Sequence, residues 1–328
     1  MTTGAAEAEA DLAVILVSTN EAQWLRACLP TVFAHAGGAT LDVIVVDNES
    51  TDGTRELVEG AFPNVRLITC RNRGFAHANN RGLKVTNAPY VLFLNPDTEV
   101  VSGTFADLLA HLAEQPNIGL VGVRQLTSDG VVYPTIRRFP TLIRMLGEAF
   151  ASERLPWRAS WLGERELDPD AYERETQCDW TSGSFMLARR EAIESAGFLD
   201  ERFFIYSEET DFCLRIVRSG WEIYHFPYLT IIHHAGKGGF NPRMASQEAY
   251  ARRQYLSKHY GPIGMAVGIG ALTLRYAFRA IGGGRDKEVN QARRAASRNA
   301  VATLFGLREP PFGPPPRQAV SIVGDEPS

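Results

Sequence analysis

"LAVILVSTNEAQWLRACLPTVFAHAGGATLDVIVVDNE", residues 12–49, holds two short apolar runs separated by a helix-length segment. The runs "LAVILV" (12–17) and "LDVIVV" (41–46) read as apolar on both faces, the pattern of strands buried within a parallel sheet. Between them, Asn20 is placed to cap a helix, with Gln23 reaching back as in a capping box and Gly37 and Gly38 ending it. The unit repeats. "ESTDGTRELVEGAF" (49–62) supplies a second connection, capped by Asp52 or Thr54, and "VRLIT" (65–69) and "YVLFL" (90–94) supply further strands. A chain of βα units predicts an α/β fold with a Rossmann-like, mostly parallel sheet flanked by helices.

Beyond this half the pattern loosens. "FADLLAHLAEQP" (105–116) reads as a helix and "IGLVGV" (118–123) as a strand, whereas residues 127–176 have no steady period and predict a mobile or loop-rich insertion beside a site. Order returns with a strand and helix in "DWTSGSFMLARREAIESAGFLDERFF" (179–204). A helix follows at 208–221, then the apolar stretch "EIYHFPYLTIIHH" (222–234) and a helix at 245–260. The expected organisation is a flexible segment 1–10, a catalytic domain 11–244, a basic helical extension 245–306 and a Pro-rich disordered tail 307–328.

The net charge of −4 is unevenly spread: residues 251–300 carry ten Lys/Arg against two acidic residues. That basic end suits an anionic surface, and no nucleic-acid motif accompanies it. Four scattered cysteines show no metal-ligand spacing and read as buried thiols of a reducing cytosol. The acidic N-terminus makes a poor signal peptide. The uncharged run Gly261 to Leu274 falls short of the roughly 20 residues a membrane span needs. The expected location is the cytoplasm, with peripheral contact at the inner face of the plasma membrane.

Ligands of open parallel sheets gather at the carboxyl ends of the strands. Those ends read "STNE" (18–21), "DNES" (47–50), "RNRGFAHANN" (71–80) and "NPDTE" (95–99), all polar. Asp47 is placed to accept from a ribose hydroxyl or a base N–H, and Asp97 to hold a hard divalent cation. Asp and Asn are also common turn residues, so any one of these ends taken alone has a plain conformational reading.

Six segments, "VSTNEAQWLRACL", "VIVVDNESTDGT", "NRGFAHANNRGL", "LFLNPDTEV", "WTSGSFMLARREAIESAGFLDERFFIYSEETDFCLRIVRSGW" and "IIHHAGKGG", occur in an order that resembles glycosyltransferase family 2. The likeness runs from about Leu12 to Gly239 and is nearest the bacterial rhamnosyltransferase-like subgroup. It implies a GT-A fold, a nucleotide-diphosphate sugar donor, Mg2+ or Mn2+, and inversion at the anomeric carbon. By the resemblance "NPD" stands in the D-x-D position, so Asp97 is the metal-binding carboxylate and Asn95 replaces the first acid. Ser18, Thr19, Asn20 and Asp47 fall on the donor side, as do Arg73, Gly74 and Asn80. Asp179, Trp180, Gly183, Ser184 and Asp211 fall in the acceptor and sugar pocket. "EETD" matches an acidic pair opening a helix, so Glu209 is the first candidate base and Glu208 the second; both are also ordinary residues for a first helical turn. A histidine after the apolar run tends to meet the metal, which leaves His233 and His234 as alternatives, with Lys237 in the glycine-rich loop behind them. Trp180 is equally a sugar platform or a core residue.

Residues 262–282 read as a helix with Arg275 and Arg279 on one face, either interfacial on anionic lipid or packed with a solvated basic side. The function expected is transfer of L-rhamnose from dTDP-rhamnose to a lipid-linked or polysaccharide acceptor in cell-envelope glycan synthesis. A nucleotidyltransferase is the rival enzyme, but "VSTNEAQ" lacks the glycine-rich basic loop it would need. A catalytically silent binding subunit is the third reading, resting on Asn95 and on glutamate in place of aspartate at 209.

Overall fold

The structure, a computed structural model, describes residues 10–150, 160–234, 241–281 and 287–312. The first half alternates as its sequence pattern requires: β1 (Leu12–Ser18), α1 (Ala22–Ala34), β2 (Leu41–Asn48), α2 (Thr54–Ala61), β3 (Arg66–Cys70), α3 (Phe75–Leu83) and β4 (Tyr90–Leu94). Then come β5 (Thr98–Ser102), α4 (Phe105–Ala113), β6 (Ile118–Leu126), α5 (Leu142–Phe150), β7 (Thr176–Gln177) and β8 (Phe185–Arg189). The chain continues through α6 (Arg190–Ala196), α7 (Glu208–Arg218), β9 (Glu222–His233), α8 (Pro242–His259), α9 (Pro262–Ile281) and α10 (Lys287–Leu304).

One sheet carries the strands in the order β3-β2-β1-β4-β8-β6-β9-β5, with β7 beside β9. Strands β3, β2, β1 and β4 run parallel, β8 is antiparallel to β4 and β6, and β6 and β9 are parallel again. Alternation along β1 explains why both sheet faces are covered. Leu12, Val14 and Leu16 meet Leu25 and Leu29 of α1 and Phe105 and Leu108 of α4 on one face. Ala13, Ile15 and Val17 meet Ala76 of α3, Ile193 of α6 and Phe212 of α7 on the other. Each such buried Leu, Ile or Phe contributes roughly 1.5–3 kcal/mol. A third layer of α5, α8, α9 and α10 packs around Met145, Leu256, Leu272, Tyr276 and Leu304. Among the described residues no helix is long and apolar enough to cross a membrane.

Several expectations need correction. Asn20 does not cap α1: the cap position is Glu21, without a side-chain bond, while Asn20 sits at φ 58° and its Oδ1 accepts from the Thr51 N–H. The free Ala22 N–H donates to Asp52 Oδ2 at 2.9 Å, so the next loop caps the helix. Asp52 also accepts from Thr54, but Gly53 occupies the cap of α2. β3 is an edge strand with an exposed arginine rather than an interior one. β5, paired to β9, was not foreseen. Within 127–176 the helix α5 packs against α9, so the insertion is partly ordered wall; residues 151–159 lie outside the described residues. The expected boundary at 244/245 falls inside α8. The tail is structured as far as Phe312: Pro310 is buried and Phe312 stacks on Phe204, ring centroids 5.4 Å apart.

Candidate active site

Parallel register lines up the strand ends. Ser18 stands opposite Asp47, and Asp47 opposite Thr69, while β4 lies on the other side of β1, where strand order reverses. Loops leaving β1 and β4 therefore flank the switch point at which such sheets bind ligands. Asp47 is buried there with both oxygens engaged, one by Arg55 Nε and one by the Ser50 N–H at 3.0 Å. Ser18 is buried with its Oγ lacking a partner, and Thr19 Oγ1 accepts from Asn48. Arg73 is exposed at the rim. The non-glycine residues with positive φ among the described residues are Asn20, Glu49, Tyr206 and Ser207, all on loops at the strand-end rim or just before α7. Such conformations cost of order 1–3 kcal/mol each and concentrate at functional sites.

Asp97 leaves β4 half-buried, with Oδ1 3.2 Å from His233 Nε2 at the end of β9. The β5–β9 pairing fixes this meeting, since Thr98 registers with His233. The two histidines are now distinct. His234 has both ring nitrogens occupied, Nε2 by Glu99 at 2.7 Å and Nδ1 by Ser128 at 3.0 Å, and its ring stacks on Trp24. Among the described residues no three His, Cys, Asp or Glu side chains gather to hold an ion by themselves. One carboxylate beside one imidazole fits an ion that takes its remaining ligands from phosphate oxygens and water, as Mg2+ and Mn2+ do. Glu21 adds a further acid nearby: burial and the charge of Asp97 push it up to about 7.

Asn95 and His233 line a cavity of about 350 Å³ whose wall also carries Glu208 and Glu209 at the start of α7. Glu208 is buried and Glu209 half-buried, each with Oε2 lacking a hydrogen-bond partner. Burial and the neighbouring Glu209 raise Glu208 well above the usual carboxylate range. Burial also raises Glu209, against the pull of the Arg252 and Arg137 cations. Gly183 lies against Glu209, where an added methyl would stand 3.6 Å from its Cβ. Trp180, Gly183 and Ser184 line the same cavity. Trp180 does so from the wall, its Nε1 donating to the Arg138 carbonyl and Arg137 lying 5.4 Å from its ring.

Three expected residues are spent elsewhere. Asn80 is buried; its amide donates to the Leu199 carbonyl and Glu201 and accepts from the Leu199 N–H, pinning that loop to α3. Asp179 accepts from the Phe139 N–H and from Arg144, holding the insertion. Asp211 is fully buried among Arg215, Lys258 and His259. Gly74, at φ 101°, does permit a close approach, but to the chain itself: an added Cβ would sit 2.2 Å from the Phe204 carbonyl oxygen. Lys237 lies outside the described residues. Sequence reading missed the cavity's far wall: Tyr133, Arg137, Glu148, Glu164, Arg252 and Arg275. Arg252 forks onto Glu164 at 3.0 and 2.9 Å, and Arg275 meets Glu148 at 3.1 Å. No motif marks them, although apolar spacing at Leu142, Met145 and Ala149 carried a helical signal.

The N-acetylglucosaminyl-diphospho-decaprenol L-rhamnosyltransferase of Mycobacterium tuberculosis is 34% identical over 211 residues, which cover 59% of this chain and 66% of that protein. Rhamnosyltransferase WbbL of Escherichia coli is 22% identical over 236 residues, covering 68% of this chain and 83% of its own. Among solved structures, a mannosyltransferase from Pyrobaculum calidifontis, bound to GDP-Man and Mn2+, superposes with a TM-score of 0.54 at 17% identity. The superposition covers 92% of this chain and 88% of that one. GalNAc-T7, solved with UDP, GalNAc and Mn2+, gives a TM-score of 0.56 at 15% identity, covering 88% and 55%. Both share the GT-A fold. The sequence model described as "Glycosyl transferase family 2" matches residues 13–195, more than half of the chain, which therefore belongs to glycosyltransferase family 2.

Proposed function

We propose that this glycosyltransferase moves L-rhamnose, with inversion, from dTDP-rhamnose to a lipid-linked acceptor in bacterial cell-envelope glycan synthesis. One observation carries the reading: a single cavity is walled both by the Asn95/His233 side and by Glu208/Glu209. The donor and acceptor choice leans on the mycobacterial relative, whose name describes rhamnosyl transfer to a diphospho-decaprenol lipid. Glu209 is the base. Of the two acids on the cavity wall, the half-buried one facing the Arg252 and Arg137 cations ionises first, while the more deeply buried Glu208 stays neutral beside it. Glu209 takes the proton of the acceptor hydroxyl. The hydroxyl oxygen bonds to the anomeric carbon as the bond from that carbon to the diphosphate breaks, its electron pair leaving on the diphosphate oxygen. Asp97 and His233 are the residues that would hold Mg2+ or Mn2+, and His234 is not. When bound, the ion would supply Lewis-acid stabilisation of charge on the leaving diphosphate.

A panel of nucleotide sugars, assayed for turnover with a lipid-linked acceptor, tests this. Glu209→Gln is expected to lower kcat by about 10²–10⁴-fold, the range for loss of a general base. Asp97→Ala should abolish metal dependence. Full transfer in both variants would sink the residue roles. Thermal stabilisation by UDP-sugars but not by dTDP-rhamnose would overturn the donor. Donor binding without turnover on any acceptor would favour the silent subunit.

A further inference from the structure

Helices α5 and α9 pack against each other, sharing Met145, Leu272 and Tyr276 in one apolar cluster. Their inner side is polar: Glu148 of α5 pairs with Arg275 of α9, and both line the cavity. Their outer sides are apolar and open. On α5, Ile143 is 63% exposed, and Trp161, whose carbonyl accepts from Arg144 of α5, is 59% exposed. On α9, Ile263 is 83% and Ile281 76% exposed, and Ala266, Val267, Gly270 and Ala277 are exposed between them. Spacings of three, four and seven residues place that series along one stripe of the helix. Arg275 is turned inward onto Glu148, and Arg279, one turn on, stands about 160° round the helix from Ile263, so neither cation lies on the stripe. Exposed cations of the neighbouring helix edge the stripe instead: Arg294 of α10, whose Nε donates to the Ala280 carbonyl of α9, with Lys287 and Arg298 exposed on that same helix, which packs along α9.

We infer that the outer face of the α5–α9 pair seats the protein in the headgroup layer of an anionic membrane, placing the cavity beside the bilayer. The occupant follows from complementarity. An apolar stripe 20 residues long, edged by cations and carried on a helix unable to cross a bilayer, matches an interfacial helix. The same two helices form the cavity wall, so an acceptor anchored in that layer reaches the base without leaving the lipid. The inference rests on the lipid-linked acceptor proposed above for its purpose and adds the surface that meets the lipid.

Co-sedimentation of the full chain with phosphatidylglycerol-containing vesicles, and with phosphatidylcholine vesicles, tests it. The chain is expected to partition at least tenfold more strongly into the anionic vesicles. The double variant Ile263→Asp/Ile281→Asp should lose most of that partition while transferring sugar to a short, water-soluble acceptor at the wild-type rate. Ile143→Glu, on the other helix, gives a second reading should the double variant fail to fold. Equal partition of wild type and variants would overturn the inference, as would indifference of the wild type to both vesicle types. A concentration-dependent dimer dispersed by the same substitutions, without vesicle binding, would assign the face to a second copy and overturn it too. Vesicle binding lost in the variants of a chain that transfers nothing would support the docking face while sinking the transfer reading.

Discussion

Glu208 and Glu209 are neighbours in sequence but not in surroundings. Glu208 is buried without a partner for Oε2, so its folded-state pKa stands above the ordinary value of 4.5. The folded protein then holds a proton that the unfolded chain releases, and stability falls as pH rises through and above that ordinary value. Glu208→Gln removes the penalty. Its Tm should exceed wild type by a few degrees at pH 8, and the difference should vanish near pH 4; calorimetry across that range would read it. The transfer rate should climb with pH through an apparent value above the normal carboxylate range, because burial raises Glu209 and the proposed base works ionised. The histidines divide similarly. His233→Ala should raise the metal concentration for half-maximal transfer about tenfold with little change in Tm, whereas His234→Ala should lower Tm and leave that concentration alone. Which acids faced the cavity was only partly legible. Two helical steps of about 100° turn Asp211 roughly 200° away from Glu209, and that spacing was readable. Asn80 and Asp179 carried no such signal, because a polar side chain serving the protein looks in sequence like one serving a ligand.

At the scale of elements, Asp211 bolts α7 to α8. It accepts from Arg215 on its own helix and pairs with Lys258 and His259 on the next, while Lys258 also reaches Asp200. Those partners hold Asp211 below its ordinary pKa, His259 and Lys258 hydrogen bonds outweighing the burial that opposes them. A depressed folded pKa means stability present above 3.8 and lost as pH falls through the lower folded value. Asp211→Ala leaves buried cations uncompensated and should cost about 3–5 kcal/mol. Urea unfolding at pH 7 would show it as a lower midpoint, with the gap to wild type narrowing in acid. The strands β1, β2 and β4 were legible because parallel strands sheathed in helices are largely apolar, whereas β3, at the edge, was read from its short β-branched run alone. β5 was not, since five residues beginning at Thr98 resemble the turn that precedes them. α5 was hidden by the arginines, prolines and tryptophans around it, although its own apolar spacing is helical.

For the molecule as a whole, the GT-A layers place the polar strand ends at one end of the sheet, and a helical third layer contributes Glu148, Arg252 and Arg275 to the cavity wall. That wall was unreadable because Glu148, Glu164, Arg252 and Arg275 lie on elements up to 127 residues apart and meet only after folding. Phe312 stacks on Phe204 with Arg243 over its ring at 5.3 Å, and Phe204 directly precedes Ile205 and Tyr206 of the cavity wall. An aromatic pair of this kind is worth about 0.5–1.5 kcal/mol beyond its buried area. Phe312→Ala should therefore speed amide exchange at residues 203–207 by roughly 2- to 10-fold, read by mass spectrometry, with strand amides unchanged.

The contact at Gly74 reaches further than its size suggests. Phe75 N–H donates to the Phe204 carbonyl at 2.7 Å, and no side chain fits at 74, so the loop following β3 is welded to the segment that delivers Glu209. Randomising residues 71–75 would therefore also move Glu209, the base proposed above. Libraries that spare Gly74 and Phe75 would let selectivity drift while turnover survives.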